Sequence, residues 1–291
     1  MDGDSKFKIH QAMWLRILNP VDNARAAAEA VRVLTTHLPL SIEMARRELR
    51  SQYAGQMLGT WWAVGHPLFM MAVFVFIFSV VFKVRIGGTY ELPLDYITYL
   101  LSGLVPWLSF QQVMTKACTV LTGNTNLVKQ VVFPLEVLPA TAVAVNLLPL
   151  VIGFVVLVVY VIIRNGALPA SYALLPILLM LQVVAMLGLA FAFAAVGVFL
   201  RDLKDFVQVF VVAGVYLMPI FYLPEWVPSL FKPLLYVNPF SYMSWCYQDA
   251  LYFGRIEHPW AWWVFAVGSV VAFVGGYRSF RWLRPYLGSA L

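Results

Sequence analysis

Charge is scarce in this chain. Asp, Glu, Lys and Arg together make up 12% of its 291 residues, where roughly 25% is usual for soluble proteins. The shortage is concentrated: residues 62–82, 96–115, 137–163, 165–200, 206–224 and 258–277 contain none of the four. With 62% hydrophobic residues, the composition leaves no room for a large water-soluble domain. Cysteine is almost absent, with only Cys118 and Cys246, and two such thiols carry no catalytic signal. No Gly-Lys-Ser/Thr occurs, which excludes a Walker A phosphate loop, and no Gly-x-Ser-x-Gly elbow is present. The four histidines, His10, His37, His66 and His258, have no partner at zinc-ligand spacing, so no metal site is expected. The uncharged runs lack the carboxylate or lysine that ion-coupled transporters use. A membrane machine without its own nucleotide or ion site draws energy from another chain.

What the sequence does contain is six apolar runs close to the roughly 20 residues that a helix needs to cross a bilayer core. Only a helix or a closed barrel satisfies its own backbone in lipid. The expected fold is an all-α integral membrane protein with six transmembrane helices. Lys and Arg favour the cytoplasmic side of such proteins. Fifteen of the 20 basic residues fall in the N-terminal stretch, the loops holding Lys116, Lys129, Arg201 and Lys204, and the C-terminal end. That bias predicts both termini in the cytoplasm, and it explains the net charge of +6 without nucleic acid as a partner. It also puts Cys118 and Cys246 on opposite sides, where they do not pair. Residues 1–50 have scattered charges and no early apolar core, unlike a cleaved signal peptide.

The chain is expected to divide into a cytoplasmic N-terminal segment, residues 1–60, and a six-span transmembrane region, residues 61–285. Residues 1–23 read as irregular, with Asn19-Pro20 as a breaker, and the alanines of 24–36 favour a short helix. Beyond Pro39, Ser41 offers an N-cap for a second helix. Its stripe of Ile42, Ala45, Leu49, Tyr53 and Met57 predicts an amphipathic helix in the membrane interface. Between runs two and three, a short helix is expected over Leu127–Val132, ended by Phe133-Pro134. After run five, about thirty residues with four prolines, counting Pro224, are too apolar for a solvated loop and too broken for a span. A re-entrant hairpin on the outer side fits them. Pro149, Pro176 and Pro219 inside runs predict kinks.

Four blocks carry a resemblance. The stretch RRELRSQYAGQMLGTWWAVGHPLFMMAVFVFIFSVVF (46–82) is similar to the opening of ABC exporter permeases of the polysaccharide-export group. NTNLVKQVVFPLEVLP (124–139), FLRDLKDF (199–206) and LYVNPFSY (235–242) follow in the family's order and spacing, so the resemblance covers residues 40–285. It implies a half-transporter: a homodimer around a channel, with two nucleotide-binding ATPase subunits on the cytoplasmic face of the bacterial inner membrane. ATP and Mg would bind those subunits and no cofactor this chain. The family exports lipid-linked polysaccharide of O-antigen, capsule or teichoic-acid type.

Within that frame the residues acquire candidate roles beside plainer ones. Arg46, Arg47 and Arg50 either enforce topology or grip a lipid-linked pyrophosphate, for which guanidinium forks are suited. Trp61, Trp62, Phe69, Tyr216, Phe221 and Tyr222 either belong to the interfacial aromatic belt or line a channel on which sugar rings slide. Asn126, Lys129, Phe133, Pro134 and Glu136, with Arg201 and Asp202 in the next loop, are either connectors or contacts to the ATPase. Two other functions remain: an exporter of a small amphiphile on the same architecture, and a membrane-embedded glycosyltransferase. The latter needs clustered Asp or His, whereas the acidic residues here are scattered singly.

Overall fold

The computed structural model describes residues 20–83, 94–129 and 133–290, and every regular element among them is helical. The chain opens with α1 (Pro20–Thr36) and α2 (Leu38–Gln52). There follow α3 (Trp62–Val75), α4 (Tyr96–Ala117), the single turn α5 (Thr125–Val128), α6 (Val137–Asn165), α7 (Leu175–Phe199) and α8 (Leu203–Gly214). Last come α9 (Lys232–Val237), α10 (Pro239–Gln248) and α11 (Pro259–Ala290). Of the irregular stretch expected over residues 1–23, residues 1–19 lie outside the described residues and the rest already belongs to α1. Helix α2 begins at Leu38 with Pro39 in its first turn, where a missing N–H leaves no bond unmade. Ser41, expected as an N-cap, is therefore a buried interior residue. The helix expected over Leu127–Val132 is shorter, ending at Val128, and residues 130–132 lie outside the described residues.

Among the described residues, four helical segments are long and apolar enough to cross a bilayer: Trp62–Val81, Val137–Asn165, Ala170–Phe199 and Pro259–Ala290. They coincide with runs one, three, four and six. Run two forms α4, which has 22 residues but intersperses Ser102, Ser109, Gln111 and Gln112 among its apolar side chains. Run five departs most from expectation. Helix α8 stops at Gly214 after 12 residues, about 18 Å at 1.5 Å per residue, against a hydrocarbon core of ~30 Å.

The break after α8 leaves carbonyls without helical partners, and neighbouring side chains supply the donors. Tyr99 Oη lies 3.0 Å from the carbonyls of both Pro219 and Tyr222, sharing its proton between them. Tyr96 donates to the Phe221 carbonyl at 3.0 Å, Tyr222 to that of Tyr216 at 2.9 Å, and the Gln248 amide to Pro219. Such bonds let irregular backbone persist away from water. The proline-rich stretch that follows holds α9 and α10, and α10 continues in a π-helical turn, Asp249–Phe253. Helix α10 packs against α4 and α11, with Met243 to Gln248 all buried.

Small residues set the closest approaches. A Cβ placed on Gly276 of α11 would lie 1.9 Å from the Gly188 carbonyl oxygen of α7, and one on Gly188 would lie 2.3 Å from the Ala272 backbone. The two backbones touch, as at small-residue crossings in lipid. Gln182 of α7, fully buried, joins three helices: its amide donates to the Pro106 carbonyl of α4 at 3.0 Å, and its oxygen accepts from Tyr247 of α10. The two cysteines are free and buried. Segments counted on the basic side gather at one end of the bundle. There Ala26, Ala30, Val120, Leu121, Val128, Leu135, Val198, Phe280 and Leu287 share one apolar cluster.

Gly188→Ala and Gly276→Ala are each expected to lose about 1–3 kcal/mol through forced separation of backbones, lowering the melting temperature in detergent by about 5 °C. Gly268→Ala and Gly275→Ala, where a new Cβ meets nothing within 4 Å, serve as controls. Equal melting temperatures across all four variants would remove the crossing as a stabilising contact.

Candidate functional site

A cavity of about 720 Å³ opens at the basic end of the bundle. Its wall is assembled from Leu49 to Gln56 around the end of α2, Trp62 to Met71 of α3, Val105 to Thr119 along α4, Val145 to Gly153 of α6, and Lys204 to Val212 of α8. The deepest lining residues, Met71, Val105 and Gly153, stand near mid-bundle. At that level α4 and α6 close: a Cβ on Gly153 would meet Val105 Cγ1 at 2.6 Å.

The wall is rich in uncharged polar groups for a space between apolar helices. Gln52, Tyr53, Gln56, His66, Ser109, Gln111, Gln112, Thr115, Asn146 and Gln208 all face it, with Lys116 and Lys204 as cations. Some are tied down within the chain. Lys116 Nζ pairs with Glu48 Oε1 at 2.7 Å, bracing α2 against α4. Ser109 donates to the Asn146 carbonyl at 3.0 Å and the Asn146 amide to Ala142 at 2.8 Å. Burial pushes the Tyr53 phenol above its ordinary pKa, so it stays a neutral donor. Gln111, Gln112 and Gln208 have no side-chain hydrogen bond to another described residue, which leaves amide donors and acceptors directed at whatever fills the space.

The expected substrate residues divide around this cavity. Trp62 lines it. Arg46, Arg47 and Arg50 are exposed on other faces of α2, which presents Leu49, Gln52 and Tyr53 to the cavity, and Arg46 pairs with Glu43 at 3.3 Å. Trp61, Phe69 and Tyr216 are exposed at 76%, 65% and 58%, on faces of the α3 and α8 regions left largely open by the described residues. Phe221 differs: it is 5% exposed, its ring stacked on Phe78 at 4.4 Å and on Phe74 at 5.5 Å. Tyr222 is half-buried, its hydroxyl spent on the Tyr216 carbonyl. Helix α8 separates the cavity from an open groove along Asp205, Val209, Ala213 and Tyr216, and Gln208 and Val212 border both.

The loop residues divide as well. Asn126, Lys129, Arg201 and Asp202 are exposed, whereas Phe133 and Pro134 are half-buried. Glu136 is 3% exposed and accepts from Arg284 at 2.7 Å, so its carboxylate is already engaged by α11.

Sequence reasoning searched the apolar runs for charge and so passed over their amides. Gln111-Gln112, Asn146 and Gln208 were visible as interruptions in those runs. It also set His258 aside for want of a metal partner. His258 instead meets Asp249, nine residues earlier, whose fully buried carboxylate faces His258 Nδ1 at 2.8 Å and accepts from the His258 backbone and from Trp262 Nε1 at 3.0 Å. With three partners, that carboxylate is a structural anchor of the π-helical turn. Among the described residues, no group of three His, Cys, Asp or Glu is placed to hold a metal.

Comparison with known proteins adds an independent line. The ABC-2 type transporter family model matches residues 41–252. The chain is 26% identical over 237 residues to a protein of Klebsiella pneumoniae named O-antigen export system permease protein RfbA, covering 81% of this chain and 89% of that one. A protein of the same name from Myxococcus xanthus is 27% identical over 229 residues, covering 78% and 85%. With the family model spanning well over half its length, on a bundle with bilayer-length apolar helices, this chain belongs to the ABC-2 type transporter family, whose members are membrane subunits of transporters.

Proposed function

We propose that this chain is the membrane subunit of an ATP-driven exporter of lipid-linked polysaccharide, of O-antigen or capsule type. The observation that carries the reading is the amide-lined cavity at the basic end. An uncharged wall of paired donors and acceptors suits a hydroxyl-rich, uncharged chain, and the exposed Lys204 at its mouth suits a phosphate headgroup. The names of the relatives support the same class of cargo. In this reading the basic end faces the cytoplasm and α2 lies at the interface. Helix α4 and the broken α8 segment complete six spans, and α9 to α10 form the outer hairpin, with the protein in the inner membrane. Two copies pair through the uncovered α3 and α8 faces, where Trp61, Phe69 and Tyr216 stand. Two ATPase subunits, binding ATP and Mg, meet Asn126, Lys129, Arg201 and Asp202.

The direct test is co-purification with the candidate ATPase and stimulation of its ATP hydrolysis by defined lipid-linked glycans. Stimulation by small amphiphiles, and not by glycans, would replace polysaccharide with the smaller cargo.

Two further outcomes are expected. Cysteine at the exposed Ser229 is labelled by an impermeant thiol reagent from outside the cell, and cysteine at the exposed Asp205 is not. The native thiols, both buried, give little background. The reverse pattern would invert the topology. The same contrast is expected between cysteine at Thr89, labelled from outside, and at Gln130, not labelled, two positions outside the described residues.

Headgroup recognition separates by substitution. Gln111→Leu/Gln112→Leu removes two amides facing the cavity, at about 0.5–1.5 kcal/mol each, and is expected to lower surface glycan about tenfold at equal protein level. Changing Arg46, Arg47 and Arg50 together to Lys keeps charge but removes the planar fork. Lost export in that variant assigns the arginines to the pyrophosphate, and unchanged export leaves them a topological role.

A further inference from the structure

Both ends of the described chain share one apolar cluster with residues of the loop between α4 and α6. Helix α1 docks through Ala26 and Ala30, both fully buried, into the cluster that holds Val120, Leu121, Val128 and Leu135 of that loop and Phe273, Phe280 and Leu287 of α11. Polar contacts fix the register. Glu29 of α1 accepts from Arg281 and, at 3.4 Å, from the Tyr277 hydroxyl, and Asn23 accepts from Arg278. One turn further along α11, Arg284 reaches the buried carboxylate of Glu136 at 2.7 Å, where the loop enters α6. Arg278, Arg281 and Arg284 thus recur at three-residue spacing along one side of α11, and each holds a different segment or turn. Helices α1 and α11 lie outside residues 41–252, whereas the loop they grip lies inside.

We infer that α1 and the basic end of α11 form a clasp that positions the described parts of the loop between α4 and α6, residues 119–129 and 133–136, and through them sets how tightly ATP use is coupled to transport. Glu136 and Arg284 act as positioning residues, remote from cargo. The coupling part rests on the proposed contact of this loop with an ATPase, but the clasp itself does not. The physical argument is burial. A carboxylate at 3% exposure that loses its counter-charge must draw in water or move, and because Glu136 stands where the loop enters α6, its movement shifts the loop exit. Arg284, by contrast, is about half exposed and tolerates loss of its partner. Arg281 and Glu29 are exposed at 48% and 44%, so their pair tunes the clasp without being needed for folding.

The experiment uses the full chain in nanodiscs, spin-labelled at the exposed Asn126 and Ser279 for pulsed dipolar distance measurement, and in parallel the complex with its ATPase. Glu136→Gln, Arg284→Gln and Glu29→Gln are compared with the swapped pair Glu136→Arg/Arg284→Glu. The singles at 136 and 284 are expected to broaden the Asn126–Ser279 distribution and to raise ATP consumed per glycan exported about three- to tenfold at equal protein level. Glu29→Gln gives a smaller change of the same sign, and it is the informative variant if those at 136 do not accumulate. The swapped pair is expected to narrow the distribution again and recover at least half of the lost coupling, which a bulk folding defect would not do. An unchanged distribution in Arg284→Gln, or a swap as broad as the singles, overturns the clasp. A broadened distribution with an unchanged ATP-to-glycan ratio overturns its link to coupling. Failure of the wild-type chain to bind any ATPase removes the transport reading and leaves the distance measurement to decide the clasp alone.

Discussion

A carbonyl or amide left unpaired away from water costs several kcal/mol, and the architecture follows from how each stretch of this chain avoids it. The four apolar segments avoid it by being long helices. The segment after α8 cannot, because Pro219 supplies no N–H and the helix has ended at Gly214. Its carbonyls are met by Tyr96, Tyr99 and Gln248 from α4 and α10. These donors explain why α10 is drawn into the bundle beside α4. Their loss would expose not one bond but the reason for that packing.

Packing in turn decides where space remains. Glycines bring α7 onto α11 and α6 onto α4 at backbone or near-backbone distance. Helix α3 has no such partner, and only 11% of its apolar stretch is buried, against 44% for α6 and for the segment of α7. The cavity lies between this loosely held helix and the tightly packed ones. A space bounded on one side by a weakly packed helix can change size more readily than one enclosed by glycine crossings.

The architecture was legible in outline because charge exclusion is an extended signal, running over 19 or more residues in each of the six runs. Single-residue roles were less legible. Phe221 and Tyr216 read alike in sequence, and their rings lie 5.4 Å apart in the fold, yet one is sealed in a stack with Phe74 and Phe78 while the other forms the open edge of that group. Glu136 read as a loop-surface contact, since nothing local announces Arg284, 148 residues away. The cavity amides were present as symbols but not as a wall, because Gln111, Asn146 and Gln208 come together only when α4, α6 and α8 pack.

Glu29 and Arg281 are 252 residues apart, and that separation has a temporal meaning during synthesis. Ribosomes emit chain at about 5–20 residues per second, so α1 waits on the order of tens of seconds before its partner on α11 exists. Until then Ala26 and Ala30 have an incomplete seat, and Glu136 lacks the arginine that engages it in the finished fold. The membrane bundle can therefore insert span by span while its basic end stays unfinished. The Arg284–Glu136 pair, whose members are 148 residues apart, is likewise made only after the loop has already been synthesised.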